Sequence, residues 1–172
     1  MSRKNGEGSL GMNDVINLLN AIIPRLNGVN VQYWLIGGVL DDIVSLGNIA
    51  GPHSDIDFYV LKHDRDLVYS CLASWAVQND MNTNDTGNLH KLTFTRDTIT
   101  DSTNTMNASG YSIEFVFLHD QDNTYSSSIN EDLPKVFAKQ LLGEGVLTDV
   151  SELTTKISVP NQAKKLLHIL DR

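Results

Sequence analysis

The chain has 172 residues and a mass of 19.0 kDa, with 41% apolar side chains, enough for one core without disulfides or a structural metal. Acids outnumber bases 21 to 13, and the net charge of −8 is the wrong sign for a nucleic-acid or membrane-surface binder. A single cysteine, Cys71, excludes an intrachain disulfide and any zinc site that needs two cysteines from this chain.

Residues 1–11 are rich in Gly and Ser and read as a disordered tail. Arg3 and Lys4 have no apolar run behind them, so no signal peptide is expected there. From Asn13 the apolar residues Val15, Ile16, Leu18, Leu19, Ile22 and Ile23 recur at helical spacing, with Pro24 and Asn27-Gly28 near the end. Val31 to Ile36 predicts a strand running directly into Gly37-Gly38. Val39 to Leu46 then predicts a helix closed by Gly47. The loop 48–54 carries the turn residues Gly51 and Pro52.

Asp55 to Leu61 alternates cleanly, with Ile56, Phe58 and Val60 on one face and Asp55, Asp57 and Tyr59 on the other. Asp64 is placed to cap a helix to about Gln78, whose apolar face holds Leu67, Val68, Cys71, Leu72 and Trp75. Leu89 to Thr95 predicts a strand, and the polar stretch 97–110 a hairpin loop. Tyr111 to Leu118 alternates again, with Ile113, Phe115 and Phe117 opposite Ser112, Glu114 and Val116. Helix signals run from Leu133 to Leu142, and 160–170 reads as a last helix started by Pro160. The order predicts an α/β domain, a mixed sheet flanked by helices, over 12–172. The longest apolar runs fall far short of the ~20 residues that cross a bilayer, so a cytoplasmic protein with no membrane partner is expected.

Three Asp-x-Asp pairs occur, so the pattern alone is cheap. Helix capping accounts for Asp64/Asp66, and a solvated turn for Asp120/Asp122. Asp55/Asp57 differs, because it sits on a strand whose other face is wholly apolar. Side chains two apart share a face, and two carboxylates held that close repel unless a cation sits between them. A hard divalent ion such as Mg²⁺ resolves the conflict, whereas a solvated strand face would need no ion. Glu114 is a lone acid on a similar strand, and it completes a three-carboxylate cluster if the two strands are neighbours. Gly37-Gly38, after an apolar strand and before a helix, offers an anion seat at a helix N-terminus; an ordinary strand-to-helix turn has the same signature. It is neither the Walker pattern nor Gly-x-Gly-x-x-Gly. The histidines His53, His63, His90, His119 and His168 lack metal-ligand spacing, and there is no Gly-x-Ser-x-Gly elbow.

The runs Tyr33 to Ile43 and Pro52 to Phe58 resemble the small nucleotidyltransferases that inactivate antibiotics, the lincosamide and aminoglycoside 2''-type adenylyltransferases. Gly37, Gly38, Asp42, Gly47, His53, Asp55 and Asp57 fall into that family's pattern without a gap. The resemblance is good over the first ~60 residues and faint at Ser158 to His168. The chain departs from the family at Val39, where Trp is frequent, and at Gly51, where a basic residue is frequent. It departs again at Glu114, where the lincosamide enzymes usually have Asp.

The resemblance implies a nucleotidyltransferase fold and a nucleotidyltransferase domain over 12–172. It implies Mg²⁺-dependent transfer of a nucleoside monophosphate, AMP from ATP or another nucleoside triphosphate, to a hydroxyl of a small acceptor. An aminoglycoside or lincosamide is first in line. Asp55, Asp57 and Glu114 would be the catalytic and metal-binding residues, and Gly37, Gly38 and His53 the nucleotide-binding ones. The acidic surplus, with Asp85, Asp97 and Asp101 as candidates near the site mouth, predicts a cationic acceptor. Transfer to a protein or tRNA end, a non-catalytic nucleotide- or metal-binding module, and a homodimer stay open from the sequence.

Overall fold

The computed structural model describes residues 10–46, 48–84, 90–97, 99–100, 106–108, 110–130 and 133–139. The first helix, α1, spans Met12–Gly28 and buries Val15, Leu19, Ile22, Ile23 and Leu26, the apolar stripe its spacing predicts. Its start is held by Asp14, whose carboxylate accepts a 2.9 Å hydrogen bond from the Gly11 amide. Strand β1 (Tyr33–Ile36) leads into α2 (Gly37–Leu46), and β2 covers Asp55–Leu61. A short 3₁₀ turn at Lys62–Asp64 precedes α3, Arg65–Gln78.

Five further segments follow, of which β3, β4 and β7 join the central sheet while β5 and β6 form a separate two-stranded sheet. They are β3 (Asn82–Asn84), β4 (Lys91–Arg96), the β5–β6 pair (Ile99–Thr100 and Met106–Ala108) and β7 (Tyr111–Gln121). The last two described strands are β8 (Thr124–Asn130) and β9 (Leu133–Ala138). The sheet order is β1-β2-β7-β4-β3. Strand β2 runs antiparallel to β1 and parallel to β7, while β4 is antiparallel to β7. Strands β8 and β9 extend from the far end of β7.

One sheet face packs against α1 and α3 through Phe58, Leu92, Phe94, Ile113, Phe115 and Phe117, each at most 1% exposed. Rings of Phe58 and Phe115 stack with centroids 5.3 Å apart, and Phe94 meets Phe115 edge-on at 6.1 Å. The other face is divided. Its far end is a second apolar cluster of Trp34, Tyr59, Leu61, Leu118, Tyr125 and Phe137. Its near end carries the acids.

Several expectations need correction. Leu133 to Ala138 is a strand and not a helix: it pairs along β8, where Phe137 is buried against Tyr59, a tertiary contact that overrides local helix propensity. On α3 the buried face is Val68, Leu72, Trp75 and Ala76; Leu67 is exposed, and Cys71 only partly buried. Asp64 stands at the start of α3 without a side-chain capping bond and lies 3.6 Å from His63. Asp120 lies within β7, paired with Lys139, so only Asp122 belongs to the turn. Within the 97–110 stretch, β5 pairs antiparallel with β6, the pairing expected of a hairpin there. Strand β3, all polar, had no apolar alternation to announce it. Residues 1–9, Gly47 and the expected helix at 160–170 lie outside the described residues.

Candidate active site

The strand pairing decides where the acids go. In the parallel register of β2 and β7, Asp57 stands opposite Glu114 and Asp55 opposite Ser112. Both Asp57 and Glu114 lie between apolar neighbours, Ile56 and Phe58 on one strand and Ile113 and Phe115 on the other, all four fully buried. With those neighbours anchored in the core, period-2 alternation sends the acids to the opposite face. Asp55, Asp57 and Glu114 then converge, with one carboxylate oxygen of each within 4.8 Å of the others. The predicted triad is thus brought together.

The charges in this cluster are in conflict. Burial, a hydrogen bond with Glu114 and the nearby negative charges of Asp55 and Glu114 push the Asp57 carboxyl up to about 8. For Glu114, burial acts upward, but hydrogen bonds from Asp57 and Lys91 and the Lys91 charge outweigh it, and the group is held below its ordinary value. Without a cation between them, Asp57 and Glu114 share a proton. Three hard oxygen donors carrying more negative charge than they can jointly ionise are a donor set suited to a divalent ion such as Mg²⁺. Burial and the same Asp57 charge raise the Tyr59 hydroxyl on the adjoining surface.

The two glycines open α2 beside this cluster. Gly37 has φ +76°, a left-handed conformation that side chains rarely adopt. A Cβ there would overlap the Asp57 carboxylate and stand 3.2 Å from its Cγ. Glycine therefore lets the first turn of α2 press against Asp57. That turn contains no acid of its own, so its amide end faces the cluster's charge alone among its own residues.

His53 lies elsewhere. It is 4% exposed and its Nε2 is 2.6 Å from Asp42 Oδ2, which also accepts a 3.1 Å bond from the Ala50 amide. Its backbone is bridged to Leu10 at 2.8 and 2.9 Å. The imidazole thus pins the 48–54 loop, which enters β2 at Asp55, and it is not one of the clustered groups. Of the expected mouth acids, Asp97 is exposed and accepts from Asn82 at 3.3 Å. Asp85 and Asp101 lie outside the described residues.

Sequence reasoning missed Lys91, whose Nζ is 2.9 Å from Glu114 Oε1. Alternation in β4 places Lys91 and Thr93 opposite the buried Leu92 and Phe94, a signal that gives the face but not the partner. Only the β4–β7 register, Thr93 opposite Glu114 and Lys91 opposite Val116, brings the lysine diagonally onto the acid. Among the described residues no helix is long and apolar enough to cross a membrane.

No protein-family model and no curated protein sequence matches the chain. Solved structures do. The chain is similar to the antibiotic-resistance factor ANT(2'')-Ia at TM-score 0.50 and 13% identity, over 91% of this chain and 85% of that one. It is also similar to the lincomycin-bound lincosamide antibiotic adenylyltransferase LnuA at TM-score 0.49 and 16% identity, over 70% and 67%. At these identities the likeness is one of fold alone: the mixed α/β nucleotidyltransferase fold, as the sequence resemblance implied.

Proposed function

We propose that this protein is a metal-dependent nucleotidyltransferase that moves a nucleoside monophosphate, AMP from ATP in the first instance, onto a hydroxyl of a small acceptor. The observation that carries the reading is the triad of Asp55, Asp57 and Glu114 on adjacent parallel strands, with donor oxygens within 4.8 Å. The likeness of its fold to that of ANT(2'')-Ia, described as an antibiotic-resistance factor, supports the same class, and the sequence resemblance makes an aminoglycoside or lincosamide the first acceptor to test.

Asp55 and Asp57 would hold Mg²⁺, with Glu114 beside them in the same cluster. When bound, the ion neutralises triphosphate charge and orients the phosphoryl centre for attack. The remaining work falls to the chain itself. The α2 N-terminus at Gly37 and Gly38 holds the pyrophosphate oxygens through backbone amides. Glu114 Oε takes the proton of the attacking acceptor hydroxyl. The oxygen–phosphorus bond to the acceptor forms as the bond to pyrophosphate breaks. His53, through Asp42, keeps the loop before Asp55 in place. A cationic acceptor suits the acidic chain, and its specificity constant should then fall as salt rises, since exposed charges are screened within ~10 Å at 0.1 M.

The test is pyrophosphate release from ATP and Mg²⁺ against a panel of aminoglycosides, lincosamides and neutral hydroxylated compounds of similar size. Release that needs both Mg²⁺ and an antibiotic acceptor supports the reading. ATP binding that survives excess chelator, with no release for any acceptor, overturns it.

A further inference from the structure

Lys91 belongs to the carboxylate cluster by geometry, not by sequence neighbourhood. It reaches across from β4 to place its ammonium 2.9 Å from Glu114 Oε1, and its charge also acts on Asp57. The lysine side chain is 43% exposed and the glutamate 23%, so the pair sits at the solvent edge of the triad, with Asp57 on the inner side. One divalent ion leaves three ionised carboxylates with one surplus negative charge. A single fixed ammonium removes that surplus, whereas a second divalent ion beside the lysine would turn the cluster strongly positive. The Glu114 oxygen that Lys91 holds is also withdrawn from any ion bound by Asp55 and Asp57.

We propose that Lys91 is the cluster's resident second cation: it engages Glu114 so that one divalent ion, held by Asp55 and Asp57, suffices, and it frees Glu114 to serve as the proton acceptor. The inference rests on the metal-site reading above and deepens it. Ligation and proton abstraction compete for the same carboxylate, and Lys91 assigns Glu114 to the second.

The experiment titrates Mn²⁺ alone, by electron paramagnetic resonance and calorimetry, into the full chain and into variants whose melting curves show that they are folded. Lys91→Met and Lys91→Gln should each bind Mn²⁺ about tenfold tighter, the effect of removing one partly solvated unit charge at ion-pair range. Lys91→Arg should bind like wild type. The decisive readout is coupling: Glu114→Gln should weaken Mn²⁺ binding about tenfold more in the Lys91→Met background than in wild type, because Glu114 becomes a ligand only when the lysine is gone. Additive effects within about threefold would make Lys91 a bystander charge and overturn the proposal while leaving the metal site standing. Wild type and Asp55→Asn binding Mn²⁺ equally poorly would overturn both.

Discussion

The two faces of β2 and β7 use the same residues' backbone for opposite purposes. Toward α1 and α3 the buried side chains are apolar, and Phe58, Phe115 and Ile113 are wholly excluded from water. One residue out of phase, the other face carries Asp55, Asp57 and Glu114 at one end and the Trp34–Tyr59–Phe137 cluster at the other. The acids repel, yet they are held within 4.8 Å because each projects from a strand whose reverse side is fixed in the core. Alternation thus separates stability from chemistry: the helix-side face makes the site rigid, and the acid face bears a conflict that only a rigid site can hold.

If that division is right, substitutions on the two faces should fail differently. On the acid face, Asp55→Asn or Asp57→Asn should cut turnover by about 10³-fold or more, since the ion contributes several kcal/mol of charge stabilisation. The melting temperature should hold or rise, because a repelling charge is gone. Steady-state pyrophosphate release and a melting curve check both halves, and near wild-type turnover in either variant would end the metal assignment. On the helix-side face, Phe115→Ala removes a ring stacked on Phe58 and met edge-on by Phe94, and should cost about 3–5 kcal/mol in urea unfolding. A loss below about 1 kcal/mol would show that this face does not anchor the sheet.

Gly37 lies where the two demands meet. Gly37→Ala should cost about 1–2 kcal/mol from its left-handed backbone alone, and it should also displace the Asp57 carboxylate. Lower Mn²⁺ affinity together with lower stability is the expected pair of results. Gly28→Ala is the control: nothing lies within 4 Å of a Cβ there, and as a helix residue it should be neutral or slightly stabilising.

The helix-side face was legible in the sequence because strand alternation writes core contacts at fixed spacing, and β2 is found at the residues its pattern predicts. The pairing of Asp57 with Glu114 was legible only as a condition, since alternation names a face and not a neighbour. Lys91 illustrates the limit: a lysine heading a strand reads as a solubilising edge residue until the β4–β7 register is known. The strand at Leu133–Ala138 was hidden for a related reason, since its partner β8 and the Tyr59 ring under Phe137 are set by tertiary pairing. The His53–Asp42 bond joins residues eleven apart through the fold of the intervening loop, and spacing in the chain does not encode it.

The most gradual expected effect is a pH dependence confined to the acid face. In the metal-free protein the Asp57 carboxyl is raised from 3.8 to about 8, first by burial, then by its bond to Glu114 and the neighbouring acids. The folded state therefore binds this proton more tightly than the unfolded chain does. Stability from this group is complete below about pH 4 and is lost as pH rises toward 8, the reverse of a salt-bridged aspartate. Each kcal/mol lost should lower the melting temperature by roughly 2–4 °C for a domain of this size. Divalent ion supplies the missing positive charge, so saturating Mg²⁺ should flatten the slope between pH 5 and 8 and raise the melting temperature most at the alkaline end. Asp57→Asn should show a flatter slope without metal, while the helix-side variants keep the wild-type slope from a lower starting point. Melting curves at half-unit pH steps, with and without Mg²⁺, check this. A wild-type slope that neither Mg²⁺ nor Asp57→Asn alters would mean that the shared proton lies elsewhere and that the acid face does not carry the conflict assigned to it.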